Sequence, residues 1–344
     1  MHIENSDKGL TKTGMKPKSA EIVPKTRKFF SKRFFTYLIK LLIAVLVMVM
    51  LVKRVHTREI FDTFHSAKLE FIFIALLLLI PNIYLQFYKW RFLVRLLKPA
   101  VSNTETMQSL LAGFTFGFIT PGRIGEFGRA FFIKNCSWVK LLGIAAIDKL
   151  FSLAVVIFWG AIGLMYFAGR QLFLFTLIPF IIFTIIALFV IYYILFHPEL
   201  IKGFLYSLNI ILPFREKIKL LMSSLDNFHR REAFYLFLLN ICFNFIYLLQ
   251  FYLLIISFES APIIPSFLAL ESAMLVKSML PISIGDLGIR ESAAVFFMGK
   301  IGLLESSAFN ASILLFAINL LIPSLIGLVL VLKHRLLLIK NGSS

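Results

Sequence analysis

The chain has 344 residues, of which 59% are hydrophobic, with a mean hydropathy of +0.87. No soluble domain of that length hides so much apolar surface, so lipid is the solvent and one polytopic membrane domain fills the chain. The formal charge of +18 lies mainly at the ends of apolar runs, where it serves topology and contact with anionic lipid; nucleic acid is excluded as a partner. Two cysteines, Cys136 and Cys242, are too few for a disulfide framework and lack metal-site spacing, and no cofactor is expected.

Residues 1–33 carry nine Lys or Arg and three acids without an apolar stripe and are expected to form a disordered basic tail. The membrane domain spans 34–335, followed by a short tail, 336–344. Apolar runs predict six full crossings, at about 34–52, 69–88, 142–168, 172–196, 234–258 and 305–332. Residues 199–232 mix apolar and basic positions around Pro213 and read as an amphipathic segment on the inner leaflet. With a cytoplasmic tail, alternate crossings put the basic clusters around Lys89–Lys98, Lys202–Arg231 and Lys333–Lys340 inside, so both termini are expected in the cytoplasm.

Two further apolar stretches, about 107–134 and 266–300, are interrupted at their centres. The first interruption contains Pro121, Gly122, Arg123, Gly125, Glu126, Gly128 and Arg129; the second contains Pro281, Gly285, Asp286, Gly288, Arg290 and Glu291. Aligned on their prolines, both read Pro-x-x-Ile-Gly-acid-apolar-Gly. Proline ends a helix and glycine permits irregular backbone. Irregular backbone and charge survive within hydrocarbon only when buried in protein or lining a wet cavity. Three crossings separate the copies, so they enter from opposite faces. The fold expected is therefore an all-α integral membrane protein with about six transmembrane helices and two re-entrant hairpins in an inverted repeat, an arrangement common among secondary transporters. Asp148 and Lys149 read as interfacial anchors. Glu271 and Lys277, six residues apart, do not share a helix face. No two histidines have metal-ligand spacing.

The block Tyr88-Lys89-Trp90-Arg91 with Leu93, the block Pro121-Gly122-Arg123-x-Gly125-Glu126-x-x-Arg129, and Leu280-Pro281 leading to Leu287-Gly288-Ile289-Arg290-Glu291 resemble the transmembrane, flippase-like region of lysylphosphatidylglycerol synthases, over about residues 70 to 335. The resemblance implies an inner-membrane protein with two re-entrant elements around a lipid-headgroup cavity. Asp286 departs from it, standing where the family more often has a small residue. The soluble domain that transfers the aminoacyl group in two-part members does not follow, so lysyl transfer by this chain alone is not expected.

The leading expectation is a transporter that moves a phospholipid or a lipid-linked headgroup between leaflets. Arg123, Arg129 and Arg290 would pair with phosphate, and Glu126, Asp286 and Glu291 would hold a cationic headgroup or the arginines. Pro121, Gly122, Gly125, Gly128, Pro281, Gly285 and Gly288 would shape the loops. The alternatives are a membrane-embedded transferase on a lipid-linked substrate, such as a phosphatidylglycerol lysyltransferase, or an accessory subunit of a lipid-modifying enzyme. Against the transferase, the sequence shows no nucleotide motif, no paired metal carboxylates and no arranged nucleophile.

Overall fold

The computed structural model describes residues 42, 45–167, 181, 182, 185, 189, 192, 193, 228–280 and 285–341. The chain divides into two units, Met1–Leu38 and Ile39–Ser344; the first, with the whole of the expected basic tail, lies outside the described residues, and so does the amphipathic segment expected over 199–232 as far as residue 227. The crossing expected over 172–196 is described at only six positions, all helical.

Among the described residues of the second unit all regular structure is helical, joined by short turns. After a helical stretch at 45–55 come α1 (Thr57–His65), α2 (Leu69–Leu77), α3 (Leu79–Leu97), α4 (Asn103–Ile119), a 3₁₀ helix (Ile124–Phe132) and α5 (Trp138–Phe167). These are followed by α6 (Arg230–Phe258), α7 (Ile263–Met279), α8 (Ile289–Lys300), α9 (Glu305–Phe316), a π turn (Ala317–Leu321) and α10 (Ile322–Asn341). Four of the helical spans are long and apolar enough to cross a membrane: Leu69–Leu97, Trp138–Phe167, Arg230–Phe258 and Glu305–Lys333. They coincide with four of the six crossings expected. The chain is a multi-pass membrane protein.

Two prolines, Pro81 and Pro323, interrupt the helical hydrogen bonding. Pro81 has no N–H for the carbonyl of Leu77, and the helix breaks there between α2 and α3. Pro323 likewise has no donor for Asn319, and the chain loosens into the π turn just before it. Gln250 of α6 ties the two together: its Oε1 accepts from Asn82 Nδ2 at 3.1 Å and from Asn319 Nδ2 at 3.0 Å, and its Nε2 donates to the carbonyl of Ala75 at 2.8 Å. One buried amide thus links the Asn82 and Asn319 side chains, one beside each proline, and is itself satisfied by the Ala75 carbonyl.

The helices approach closely where side chains are small, as lipid-embedded packing requires. A Cβ on Gly163 would stand 2.4 Å from the carbonyl of Leu268, and one on Gly160 would stand 2.5 Å from Leu275 Cβ; these two glycines seat α5 on α7. Gly327 does the same for α10 on α4, 2.2 Å from the Leu111 carbonyl. Thr115 and Ser324 then exchange hydrogen bonds with backbone across that contact, Thr115 Oγ1 to the Ser324 carbonyl at 2.9 Å and Ser324 Oγ to the Phe114 carbonyl at 3.0 Å.

Both interrupted stretches fold back on themselves as helix pairs. In the first, α4 packs along the 3₁₀ helix; in the second, α7 packs along α8. The loop residue Pro281 lies outside the described residues.

Candidate functional site

The first interruption builds its charged face by backbone period. Gly122 (φ 59) and Arg123 (φ 56) adopt left-handed conformations, which reverse the chain after α4, and the next nine residues wind as 3₁₀ helix. In that helix side chains three apart eclipse one another, so Arg123, Glu126 and Arg129 form one stripe. The spacing of three in the Pro-Gly-Arg block is the period of this helix. The stripe lies along glycines of α4: a Cβ on Gly117 would meet Glu126 Cγ at 2.7 Å, and one on Gly113 would meet Arg129 Cβ at 3.1 Å. At Gly125 there is least room, since a Cβ would stand 2.1 Å from the carbonyl of Phe116, and its N–H donates to Thr120 Oγ1 at 2.6 Å.

Charges from α3 and α5 converge on this stripe. Asp148 of α5 accepts from Lys89 at 3.1 Å and from Arg129 at 3.1 Å. Lys89 also donates to Asn240 Oδ1 at 2.7 Å. The Arg129 guanidinium lies 4.0 Å from the centroid of Trp90, a favourable cation–π distance. Trp90 is fixed in turn: its Nε1–H donates to Ser109 Oγ at 3.0 Å, and that hydroxyl donates to the Arg129 carbonyl at 2.6 Å. The Tyr-Lys-Trp-Arg and Pro-Gly-Arg blocks, far apart in sequence, therefore meet at Asp148. Glu126 takes two cations, Arg123 and Lys149, the latter at 3.0 Å.

The second interruption contributes differently. Gly285 (φ 60), Asp286 (φ 63) and Gly288 (φ 86) turn the chain through left-handed conformations, which Gly and Asp tolerate best. Asp286 faces the first loop, pairing with Lys277 at 3.0 Å and lying within electrostatic reach of Arg123. Arg290 and Glu291 bond chiefly to each other, with Arg290 still within electrostatic reach of Arg123 and Asp286. Glu291 accepts from the Gly288 N–H at 2.6 Å, as a residue in the first turn of α8 does when it caps the helix. Arg290 pairs with Glu291, donates to Ser312 Oγ at 3.1 Å and sits over Phe316.

Between these elements lies a cavity of about 360 Å³. Its charged lining, among the described residues, is Lys89, Arg123, Arg129, Lys149 and Lys277 against Glu126, Asp148 and Asp286: five cations and three anions, a net +2. Arg123 Nε and Arg129 Nε are buried there without a hydrogen-bond partner. Of the residues expected at the site, Arg123, Glu126, Arg129 and Asp286 line the cavity together with Gly122; Arg290 and Glu291 form a closed pair outside its wall. Sequence reasoning missed Lys89, Asp148, Lys149 and Lys277 as site residues. Asp148 is buried within α5 and holds two cations, where an interfacial anchor was expected. A charge inside an apolar run is the signal that points to it.

Among the described residues no group of His, Cys, Asp and Glu is arranged to hold a metal ion. Burial raises the Cys136 thiol above its ordinary value, opposed in part by a backbone hydrogen bond at Ser137 and by Lys98 and Lys140, which disfavours the thiolate. A second cavity, of about 470 Å³, lies beside the start of α4 and α10. Its Glu105 is occupied with Lys98 at 2.9 Å and the Lys134 N–H at 2.6 Å.

A multi-helix membrane protein that encloses a net-positive cavity against two broken helix pairs is the class this geometry defines. The family model described as lysylphosphatidylglycerol synthase TM region matches residues 37–327, and the chain belongs to that family. Neither the curated proteins nor the solved structures contain a match.

Proposed function

We propose that this protein is a flippase-like transporter that binds a phospholipid, or a lipid-linked headgroup, by its phosphate and carries it between leaflets. The observation that supports this reading most directly is the net +2 cavity in which two guanidinium Nε–H groups have no partner. A phosphate diester supplies the acceptors those donors lack, and charge-assisted bonds to it are the strong ones. Glu126 and Asp148 hold the arginines in place by their ion pairs, so the donors are positioned before the headgroup arrives. Asp286 and Lys277 close the opposite wall and offer a carboxylate to an amine-bearing headgroup.

In this reading the two interrupted helix pairs are re-entrant, enter from opposite faces as an inverted repeat, and meet at the headgroup site. The protein resides in the inner membrane with both termini in the cytoplasm. Reporter fusions after residue 33, within 197–232 and after residue 333 then report cytoplasm, and fusions at 259–264 report the other side; a cytoplasmic signal at 259–264 removes the inverted repeat. The functional test uses purified protein in phosphatidylcholine vesicles containing fluorescent phosphatidylglycerol, with a membrane-impermeant quencher reading the exposed fraction. Faster exchange than in empty vesicles, lost in Arg123→Ala, supports transport. Exchange equal to that of empty vesicles rejects it, and new lipid products on adding an aminoacyl or glycosyl donor point to a transferase instead.

A further inference from the structure

Glu271 is a buried acid that the phosphate site does not use. It sits in the middle of α7, 4% exposed, and its Oε1 accepts from Asn244 Nδ2 at 2.5 Å. Its Oε2 is buried without any partner. Asn244 itself lines the headgroup cavity, as does Met274 one turn along α7 from the acid. One amide therefore separates this carboxyl from the site.

The helices packed on α7 bring no cation to it. On α5, Lys149 is engaged by Glu126, and Asp148 is an anion with two cations of its own. On α8, Arg290 is engaged by Glu291, and Lys300 lies at the far end over Phe296. On α6, Tyr252 donates to the Ala261 carbonyl, and Tyr247 lines the cavity. On α7 itself, Lys277 points away to Asp286. No ion pair to Glu271 exists among the described residues. A carboxylate in such surroundings is desolvated with only one donor to offset the loss, whereas the neutral acid suits the pocket. Buried membrane acids of this kind normally mark ion or proton pathways.

We propose that Glu271 is a proton-binding site, linked through Asn244 to the headgroup cavity, and that it makes lipid movement proton-coupled. The coupling rests on the transport reading above; the proton site does not. A headgroup that brings negative charge into the cavity disfavours the Glu271 carboxylate behind Asn244, so binding of phosphate and of the proton assist one another. The same linkage must run in both directions. Reaccommodating the amide of Asn244 then tells one site that the other is filled.

Two arms test this separately, both on the full chain in phosphatidylcholine vesicles. Difference infrared spectroscopy between neutral and alkaline pH, a range in which ordinary carboxylates stay ionised, reads the carboxylic-acid stretch of a buried acid: it is expected in the wild type, absent in Glu271→Gln, and shifted in its titration when short-chain phosphatidylglycerol is added. Glu271→Gln keeps an acceptor for Asn244 and is isosteric, so it folds. Asn244→Ala is expected to keep the acid band and to lose its response to lipid. In the second arm, a one-unit pH gradient is expected to bias fluorescent phosphatidylglycerol distribution about tenfold for one coupled proton in the wild type and to leave Glu271→Gln unbiased. An acid band that survives in Glu271→Gln unchanged overturns the proton site. A gradient response that survives in Glu271→Gln, or an acid band indifferent to added lipid, overturns the coupling. Failure of the wild type to move lipid at all, with the lipid-sensitive acid band intact, sinks the transport reading and leaves the proton site standing.

Discussion

The two interrupted segments share a pattern, four of eight aligned positions being identical, yet the structure uses them for different ends. The first ends in 3₁₀ helix, whose threefold period lines up Arg123, Glu126 and Arg129 on the cavity side. The second passes directly into α8, whose first turn needs a cap, and Glu291 supplies it to the Gly288 N–H. That bond draws Glu291 inward, and Arg290 follows as its counter-ion. Only Asp286, held before the helix begins, still reaches the cavity. The backbone period that follows the glycines, more than the residues themselves, decides whether a charge serves the site or the scaffold.

The sharpest way to break this comparison is to remove Arg290. Its guanidinium is buried, 5% exposed, against a fully buried Glu291, and deleting one partner of such a pair costs about 3–5 kcal/mol. Arg290→Ala is therefore expected to fall in thermal stability and in abundance before any transport property changes. The double variant Arg290→Met with Glu291→Gln, which keeps an acceptor for the Gly288 N–H, is expected to recover most of that loss. Normal abundance of Arg290→Ala with transport abolished would return Arg290 to the site.

The matching change in the first segment should separate the other way. Arg123 stands at the cavity with an unpartnered Nε, and its partner Glu126 keeps a second cation in Lys149, so Arg123→Ala is expected to cost less stability than Arg290→Ala, which leaves Glu291 without a counter-ion. Loss of charge-assisted bonds of about 1.5–3 kcal/mol lowers lipid movement about ten- to hundredfold. Arg123→Lys restores little, because an ammonium cannot reproduce the planar fork. Lys rescuing fully would mark Arg123 as an interfacial anchor.

These contrasts also show what the sequence could reveal. Glycines and prolines inside apolar runs are visible as breaks, and the charges beside them, Arg123, Glu126, Arg129 and Asp286, were legible for that reason. Four crossings were equally plain from their length. Lys89 was hidden because an apolar run seemed to end at Tyr88, whereas the helix continues to Leu97 and carries Lys89 into the bundle. Its partner Asp148 lies fifty-nine positions away in sequence, and no helical period connects the two. Glu271 and Lys277 were correctly separated by helix geometry, one meeting Asn244 and the other Asp286. The fate of Arg290 was not legible, because nothing in the string tells whether 3₁₀ or α-helix follows the last glycine.

The glycines give the smallest effects and the finest test, since Gly125 and Gly285 occupy matching positions for different physical reasons. Gly125 has no positive φ, but its Cβ would lie 2.1 Å from the Phe116 carbonyl and 2.5 Å from Thr120 Oγ1. Backbone must move to admit any side chain there, at about 1–3 kcal/mol for overpacking, and the Arg123–Arg129 stripe moves with it. Gly285 has room, its nearest neighbours being Phe316 Cε2 at 3.4 Å and Leu320 Cδ2 at 3.5 Å, but its φ of 60 disfavours side chains by about 1–2 kcal/mol. Asn tolerates that conformation better than Ala does. At Gly285, Asn is therefore expected to outperform Ala in stability and transport, with Gly285→Asn close to the wild type. At Gly125 the order reverses, because the longer side chain worsens a purely steric conflict. Measuring thermal stability and lipid movement for all four variants decides the matter: Asn better than Ala at both positions would mean that left-handed backbone, and not close packing on α4, is what the first segment requires.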